Sequence, residues 1–409
     1  MEVRIEDDLL GAEAVRDPYA YFGRLRDTEP VTYNERYRSW VVTSHRHCAA
    51  AFKDPRVSSD RISPFVASKL DGDTDPRLRA TFDVLADWLV FKDPPDHTRL
   101  RRLVHRAFTP RSVEKMRVRV EELAEELLDG IVREGRSDLL HAFAYPLPAI
   151  VIAEMLGVPP EDRDRFKEWS DQITALVFGG LEDPGRHVRA ATGMAELVDY
   201  LTWLLRRYEA EPDDNLMSAL VEAREHDDAL TEAEVIATCT LLLFGGHETT
   251  TNLIANAVVA LLEHPAQAAA LREGRVDTRE AIEELVRYDG PAKVVVRQIG
   301  REPVELGGRT LEPGQRVFLV PASANRDPEV FADPDRLNLA RERNAHLGFG
   351  VGIHYCLGAP LARLEAGIAI PRILQRLPEL ALDTDELSWH PILLTRGLTS
   401  LPVRFVAAG

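Results

Sequence analysis

Cysteine is scarce: three occur in 409 residues, Cys48, Cys239 and Cys356, far apart and without a Cys-x-x-Cys pair. No disulfide framework or zinc knuckle is implied. A basic surplus is also missing. Fifty Lys and Arg face 67 Asp and Glu, a net charge of −17 that repels a polyanion from the average surface, so nucleic-acid binding is not expected. Long apolar runs are absent too. Glu154 interrupts Leu147–Val158 and Asn256 interrupts Ile254–Leu262, and both fall short of the roughly 20 residues that span a bilayer. The start, Met1-Glu2-Val3-Arg4-Ile5-Glu6-Asp7-Asp8, is acidic where a secretory leader has a basic head. A cytoplasmic protein without a membrane partner is expected. Repeats and Gly/Ser- or Pro-rich linkers are lacking, which favours one domain over 1–409.

What is present begins with a strand pair, Val31 and Tyr33 against Trp40 and Val42, turning at Asn34-Glu35. From about Pro95 to Leu285 helical periodicity takes over. Strand signals return at Val294–Val296, Arg316–Val320 and Leu401–Phe405. A helix-rich body with a small β-rich lobe, drawn from about 30–58, 292–322 and 384–406, follows. Asn338–Phe349 has little periodicity and reads as an ordered meander.

The sharpest local signal is Phe349-Gly350-Val351-Gly352-Ile353-His354-Tyr355-Cys356-Leu357-Gly358, followed by a helical segment with Pro360 in its first turn. Glycines ahead of the cysteine allow a tight turn and close approach of a flat ligand. A thiol at a helix start is favoured as thiolate, the form that ligates metal. A buried structural cysteine, or a nucleophile with His354 as base, are the other readings of these residues.

A second signal is one long helix, starting at Thr231 with a Thr-x-x-Glu capping box to Glu234 and stopping at His264-Pro265. Its centre, Gly245-Gly246-His247-Glu248-Thr249-Thr250, places two glycines, an acid and alcohols between apolar halves. Each glycine costs about 1 kcal/mol relative to Ala, which room for a ligand would offset. A tight helix crossing with Glu248 solvated is the alternative. Two further patterns are Glu284-Leu285-Val286-Arg287, an i, i+3 charge pair, and Asp93-Pro94-Pro95-Asp96-His97-Thr98-Arg99-Leu100-Arg101. The latter is a capped helix start with His97 and Arg101 on one face.

The cysteine decapeptide resembles the haem-binding loop of cytochromes P450, with His354 where many members have Arg. The long helix resembles the one over the distal haem face, and the later motifs occur in family order. The resemblance implies the α+β, mainly α, P450 fold around haem b (iron protoporphyrin IX). Cys356 is then the iron ligand, Glu248 and Thr249 the proton-delivering acid and alcohol, and His97, Arg101, Arg297 and His354 the propionate contacts. Glu284 and Arg287 would pair with Arg336 in a structural network. The implied reaction inserts one oxygen atom of O2 into a C–H or C=C bond of a hydrophobic natural-product substrate. Trp88, Leu89, Val90, Leu241, Phe244, Lys293–Val295, Leu394 and Thr395 would line its pocket. Electrons would come from a separate ferredoxin-type donor. Residues 97–119 form a basic island, with Arg99, Arg101, Arg102, Arg106, Arg111, Lys115, Arg117 and Arg119 against the single acid Glu114, part of which could dock it together with Arg341, Arg343 or Arg363. A peroxide-using hydroxylase, an oxidative coupler and a non-catalytic haem protein are the alternatives.

Overall fold

The computed structural model describes residues 4–70, 74–181, 183–224 and 230–407; the side chains of Arg4, Arg106, Ala107 and Pro110 also lie outside the description. The chain divides into two compact units. One comprises Ser58–Lys115 and Ala149–His247, the other Met1–Val57, Met116–Pro148 and Glu248–Gly409.

Among the elements of the first unit are α1 (Asp96–Ala107), α2 (Arg163–Val177), α3 (Arg186–Ala210) and the N-terminal half of α4 (Glu232–Glu263). The capping box sets where α4 begins: Thr231 N–H donates to Glu234 Oε2 at 2.8 Å, and Glu234 N–H to Thr231 Oγ1 at 3.2 Å. At 1.5 Å per residue α4 is about 48 Å long. The aromatic cluster of Phe166, Trp169 and Tyr200 joins α2 to α3. Gly193 permits this approach, because a Cβ there would meet Gln172 Cβ at 2.9 Å. The start of α1 departs from expectation. Asp93 does not cap it; its carboxylate accepts from the Ser58 hydroxyl and from Ser59 N–H, and Pro95 precedes the helix without a side-chain cap.

In chain order the second unit contributes the strands β1 (Arg4–Ile5), β2 (Val31–Asn34), β3 (Ser39–Val42), β4 (Arg136–Asp138), β5 (Val295–Ile299), β6 (Val304–Leu306), β7 (Arg309–Leu311), β8 (Arg316–Leu319), β9 (Ala381–Leu382) and β10 (Pro402–Arg404). β1, β2, β3, β8 and β5 lie side by side in that order. β2 and β3 are antiparallel with Tyr33 opposite Trp40, and β3 runs parallel to β8 with Trp40 opposite Val317. Alternation buries both faces. Trp40, Val42, Val317 and Leu319 enter one core, and Val41, Val296 and Phe318 the other.

The C-terminal strand is a correction to the single lobe expected from sequence. β10 pairs with β9 and β4 in a separate three-stranded sheet, Val403 opposite Ser137. The loop before it forms an isolated bridge, Thr395 with Ala292, ahead of β5. β4, Arg136-Ser137-Asp138, has no apolar alternation to announce a strand; Asp138 Oδ1 instead accepts Leu401 N–H at 2.9 Å.

Two helices of this unit, α5 (Thr278–Asp289) and α6 (Ala359–Arg376), pack through Ala281, Ile282, Leu285, Ala366 and Ile370. The residues from 326 to 351 run without helix or strand, and the expected meander, Asn338–Phe349, lies within them. Among the described residues no single helix is long and apolar enough to cross a membrane.

Candidate functional site

The cysteine loop is built by two left-handed glycines, Gly350 (φ 68°) and Gly352 (φ 81°), a conformation other residues rarely adopt. Cys356 N–H donates to Phe349 O at 2.9 Å, closing the loop, and α6 begins three residues later. Cys356 is exposed, whereas Cys48 and Cys239 are buried, with thiols pushed up to about 12 by desolvation. One sulfur alone is therefore available as a ligand. Among the described residues no group of three or more His, Cys, Asp or Glu side chains could hold a metal ion. A lone thiolate suits a metal whose other ligands arrive with it, as in a porphyrin.

Behind the loop lies a charge network that sequence reasoning missed. Glu283 on α5 accepts from Arg363 Nη2 and from His346 Nε2, each at 2.9 Å. Burial raises the Glu283 pKa, but these hydrogen bonds outweigh it and bring the carboxyl down to about 2. Arg363 also stacks over Phe349, 4.5 Å from the ring centroid, and donates to the Tyr355 hydroxyl. It is thus engaged beneath the loop, contrary to its expected role on a docking surface.

The four expected cations fall in both units. His97 is buried on α1, one turn before the half-buried Arg101. Arg297 sits buried on β5, its guanidinium 5.7 Å from the centroid of Phe52. The Cys356 loop meets the same residue, since a Cβ on Gly352 would lie 3.1 Å from Phe52 O. Phe52 thus brings Arg297 and the loop bearing His354 together. Val351 and Val295 pack on the same core.

At the centre of α4, Gly245 is exposed although Leu242, Leu243 and Phe244 before it are buried. No heavy atom lies within 4 Å of the position a Cβ would take. His247 is pinned between Ser170 Oγ and Leu243 O. Glu248 and Thr249 are half-buried, and Asn252 Nδ2 lies 3.4 Å from Glu248 Oε1. Trp88 Nε1 donates to Thr240 Oγ1 at 2.8 Å, with its ring against Phe91 and Phe244. Within the second unit, the exposed Cys356 sulfur suits a haem iron and the buried Arg297 guanidinium a propionate; within the first, buried His97 and the space beside Gly245 are each compatible with the same group.

The expected Arg336 contact is replaced. The Glu284 carboxylate is held by Arg287 and by Arg341, while Arg336 is exposed and contributes only its carbonyl oxygen. Arg341 is therefore structural and does not present its charge outward.

A cytochrome P450 family model matches residues 69–386. The cytochrome P450 monooxygenase PikC of Streptomyces venezuelae is 42% identical over 97% of this chain and 93% of its own length. The polyketide biosynthesis cytochrome P450 PksS of Bacillus subtilis is 38% identical over 96% of this chain and 97% of its own. The solved structure of P450BioI, in complex with acyl carrier protein ligated by hexadec-9Z-enoic acid, matches with a TM-score of 0.88 at 34% identity, covering 98% of this chain and 100% of that one. With this likeness extending over nearly the whole length, the chain belongs to the cytochrome P450 family of haem monooxygenases and has its helix-rich α+β fold.

Proposed function

We propose that the protein inserts one oxygen atom of O2 into a C–H or C=C bond of a hydrophobic polyketide-type or related natural product, with electrons from a separate ferredoxin-type donor. The observation that carries this is the single exposed thiol of Cys356 on its glycine-built loop, against two buried cysteines. The names of PikC's and PksS's class, a monooxygenase and a polyketide biosynthesis enzyme, support the substrate class.

Haem b, when bound, supplies the activation of oxygen. Cys356 would hold it as thiolate, and the loop's position ahead of α6 favours that charge. His97, Arg101, Arg297 and His354 would hold its propionates, guanidinium and imidazole being good donors to carboxylates. Glu248 and Thr249 would hold and pass protons at carboxylate and hydroxyl. Trp88, fixed by Thr240, and Phe244 would present apolar walls that orient the substrate and exclude water.

The basic island is narrower than its sequence suggests. Arg99 pairs with Glu234, Lys115 with Asp214 and Arg119 with Glu126. The Arg106 side chain lies outside the described residues. Arg102 and Arg343 are exposed, and each is a candidate docking cation for an acidic electron donor.

The test is the absorption spectrum of the reduced, carbon monoxide-treated protein, followed by a spectral-shift screen against natural products. A thiolate-haem band and a shift with polyketide-like ligands are expected, with product formed only when redox partners are present. Turnover with peroxide at the rate seen with partners would instead establish the peroxide-using reading.

A further inference from the structure

Pro291-Ala292-Lys293-Val294-Val295-Val296-Arg297 leads into β5, and a lysine at a strand start is ordinarily solvated. Here Lys293 is 3% exposed. The other charged group that bears on it is the guanidinium of Arg396, which is itself a cation. The nearby acid is already committed: Asp289 accepts from Arg396 Nε at 2.9 Å and from the Tyr19 hydroxyl at 2.5 Å. Buried Arg287, Arg326 and Arg396 of the same unit each have a carboxylate. Among the described residues no carboxylate bears on Lys293.

Its position gives the ammonium a task. Val294 joins the same core as Val296, and Lys293 precedes it at the entry to β5, the strand that carries Arg297. Lys293 N–H donates to Leu394 O at 2.9 Å. The loop it pairs with packs directly on α4: Asn256 Nδ2 donates to Arg396 O at 3.2 Å, and Gly397 lies against Asn252, which in turn approaches Glu248. Lys293 therefore stands between the strand that carries Arg297 and the loop that covers the helix turn after Glu248.

An ammonium taken out of water without a counter-ion is costly, and a structural lysine would have acquired one. We propose that Lys293 binds a carboxylate of the substrate, so that the hydrophobic compounds this chain accepts carry an acid group. This rests on the functional reading above and specifies its substrate class. Burial, aided by Arg396, lowers the Lys293 pKa to about 7. The pair with an anion therefore forms fully below that pH and weakens above it, as the lysine loses its proton.

A haem propionate is the other source of a carboxylate, and the experiment separates the two. Haem-loaded protein is titrated calorimetrically with linear fatty acids of eight to sixteen carbons and with their methyl esters, at about pH 6 and pH 8.5. In the wild type, acids of fitting length bind roughly tenfold or more tighter than their esters at the lower pH, and the advantage shrinks at the higher. In Lys293→Met the advantage disappears while ester affinity is kept. An acid preference that survives Lys293→Met, or no acid preference anywhere in the series, overturns the proposal. So does accelerated haem release from Lys293→Met with acid preference intact, which would assign the lysine to a propionate. The carbon monoxide spectrum reads the haem-thiolate assignment separately, so a failure of that assignment is distinguishable from a failure of this one.

Discussion

Nε of Arg341 lies 2.9 Å from Oε2 of Glu284, and Arg287 Nε approaches the same oxygen at 2.7 Å. The Glu284 and Arg287 side chains have no exposed surface. Asn338 N–H and Asn344 Nδ2 complete the carboxylate's shell. Residues 338–344 have no secondary structure of their own, so this buried anion on α5 is what fixes the course of the meander toward the Cys356 loop.

Removing the anion leaves two cations without their charge partner. Glu284→Gln should destabilise the protein by about 3–5 kcal/mol, read by chemical denaturation, whereas Arg336→Ala should change stability by less than about 0.5 kcal/mol. A larger effect from Arg336 than from Arg341→Ala would contradict the pairing.

Glu283 yields a pH signature. Its folded pKa, about 2, lies below the ordinary glutamate value. Its contribution is therefore complete above about pH 4.5 and is lost as pH falls toward 2. Discounted for its partial exposure, it amounts to about 1–2 kcal/mol. Denaturation of wild type and Glu283→Gln should differ by this amount at pH 7, and the two curves should converge in acid.

Cysteine reactivity should be singular. Haem-free folded protein treated with iodoacetamide near pH 8 should be alkylated once, at Cys356, because the thiols pushed to about 12 are buried and only about one in 10⁴ ionised. Peptide mass spectrometry locates the adduct. In the loaded enzyme, Cys356→Ser should abolish the thiolate-type spectrum, and Cys48→Ser should leave it in place.

Glu248 and Thr249 should govern how electrons are used. Glu248→Gln and Thr249→Ala should lower product formation about 10²-fold, while substrate binding is retained within a few fold. Oxygen consumption without product, measured with an oxygen electrode beside chromatography, is the expected accompaniment. Coupled turnover in both variants would remove these residues from proton transfer.

Much of the site was readable in the sequence because its signals are local. The Thr231–Glu234 box needs four residues, and the turn before Cys356 needs two glycines. What stayed hidden depends on distant parts of the chain meeting. Arg341 reaches Glu284 across 57 positions through a segment with no periodicity, so nothing local marks it, and the family resemblance pointed to Arg336 instead. β4 consists of polar residues and exists because β10 pairs with it. The burial of Lys293 follows from the return of Leu394, about a hundred residues later, which no window on the sequence contains.

The gap beside Gly245 ties the protein's robustness to the breadth of its tolerance. An alanine there would meet nothing within 4 Å and would strengthen the helix by about 1 kcal/mol. The extra methyl would also trim the room left for a guest. At this position a sturdier catalyst is a choosier one, and selection for thermal endurance alone would narrow its repertoire.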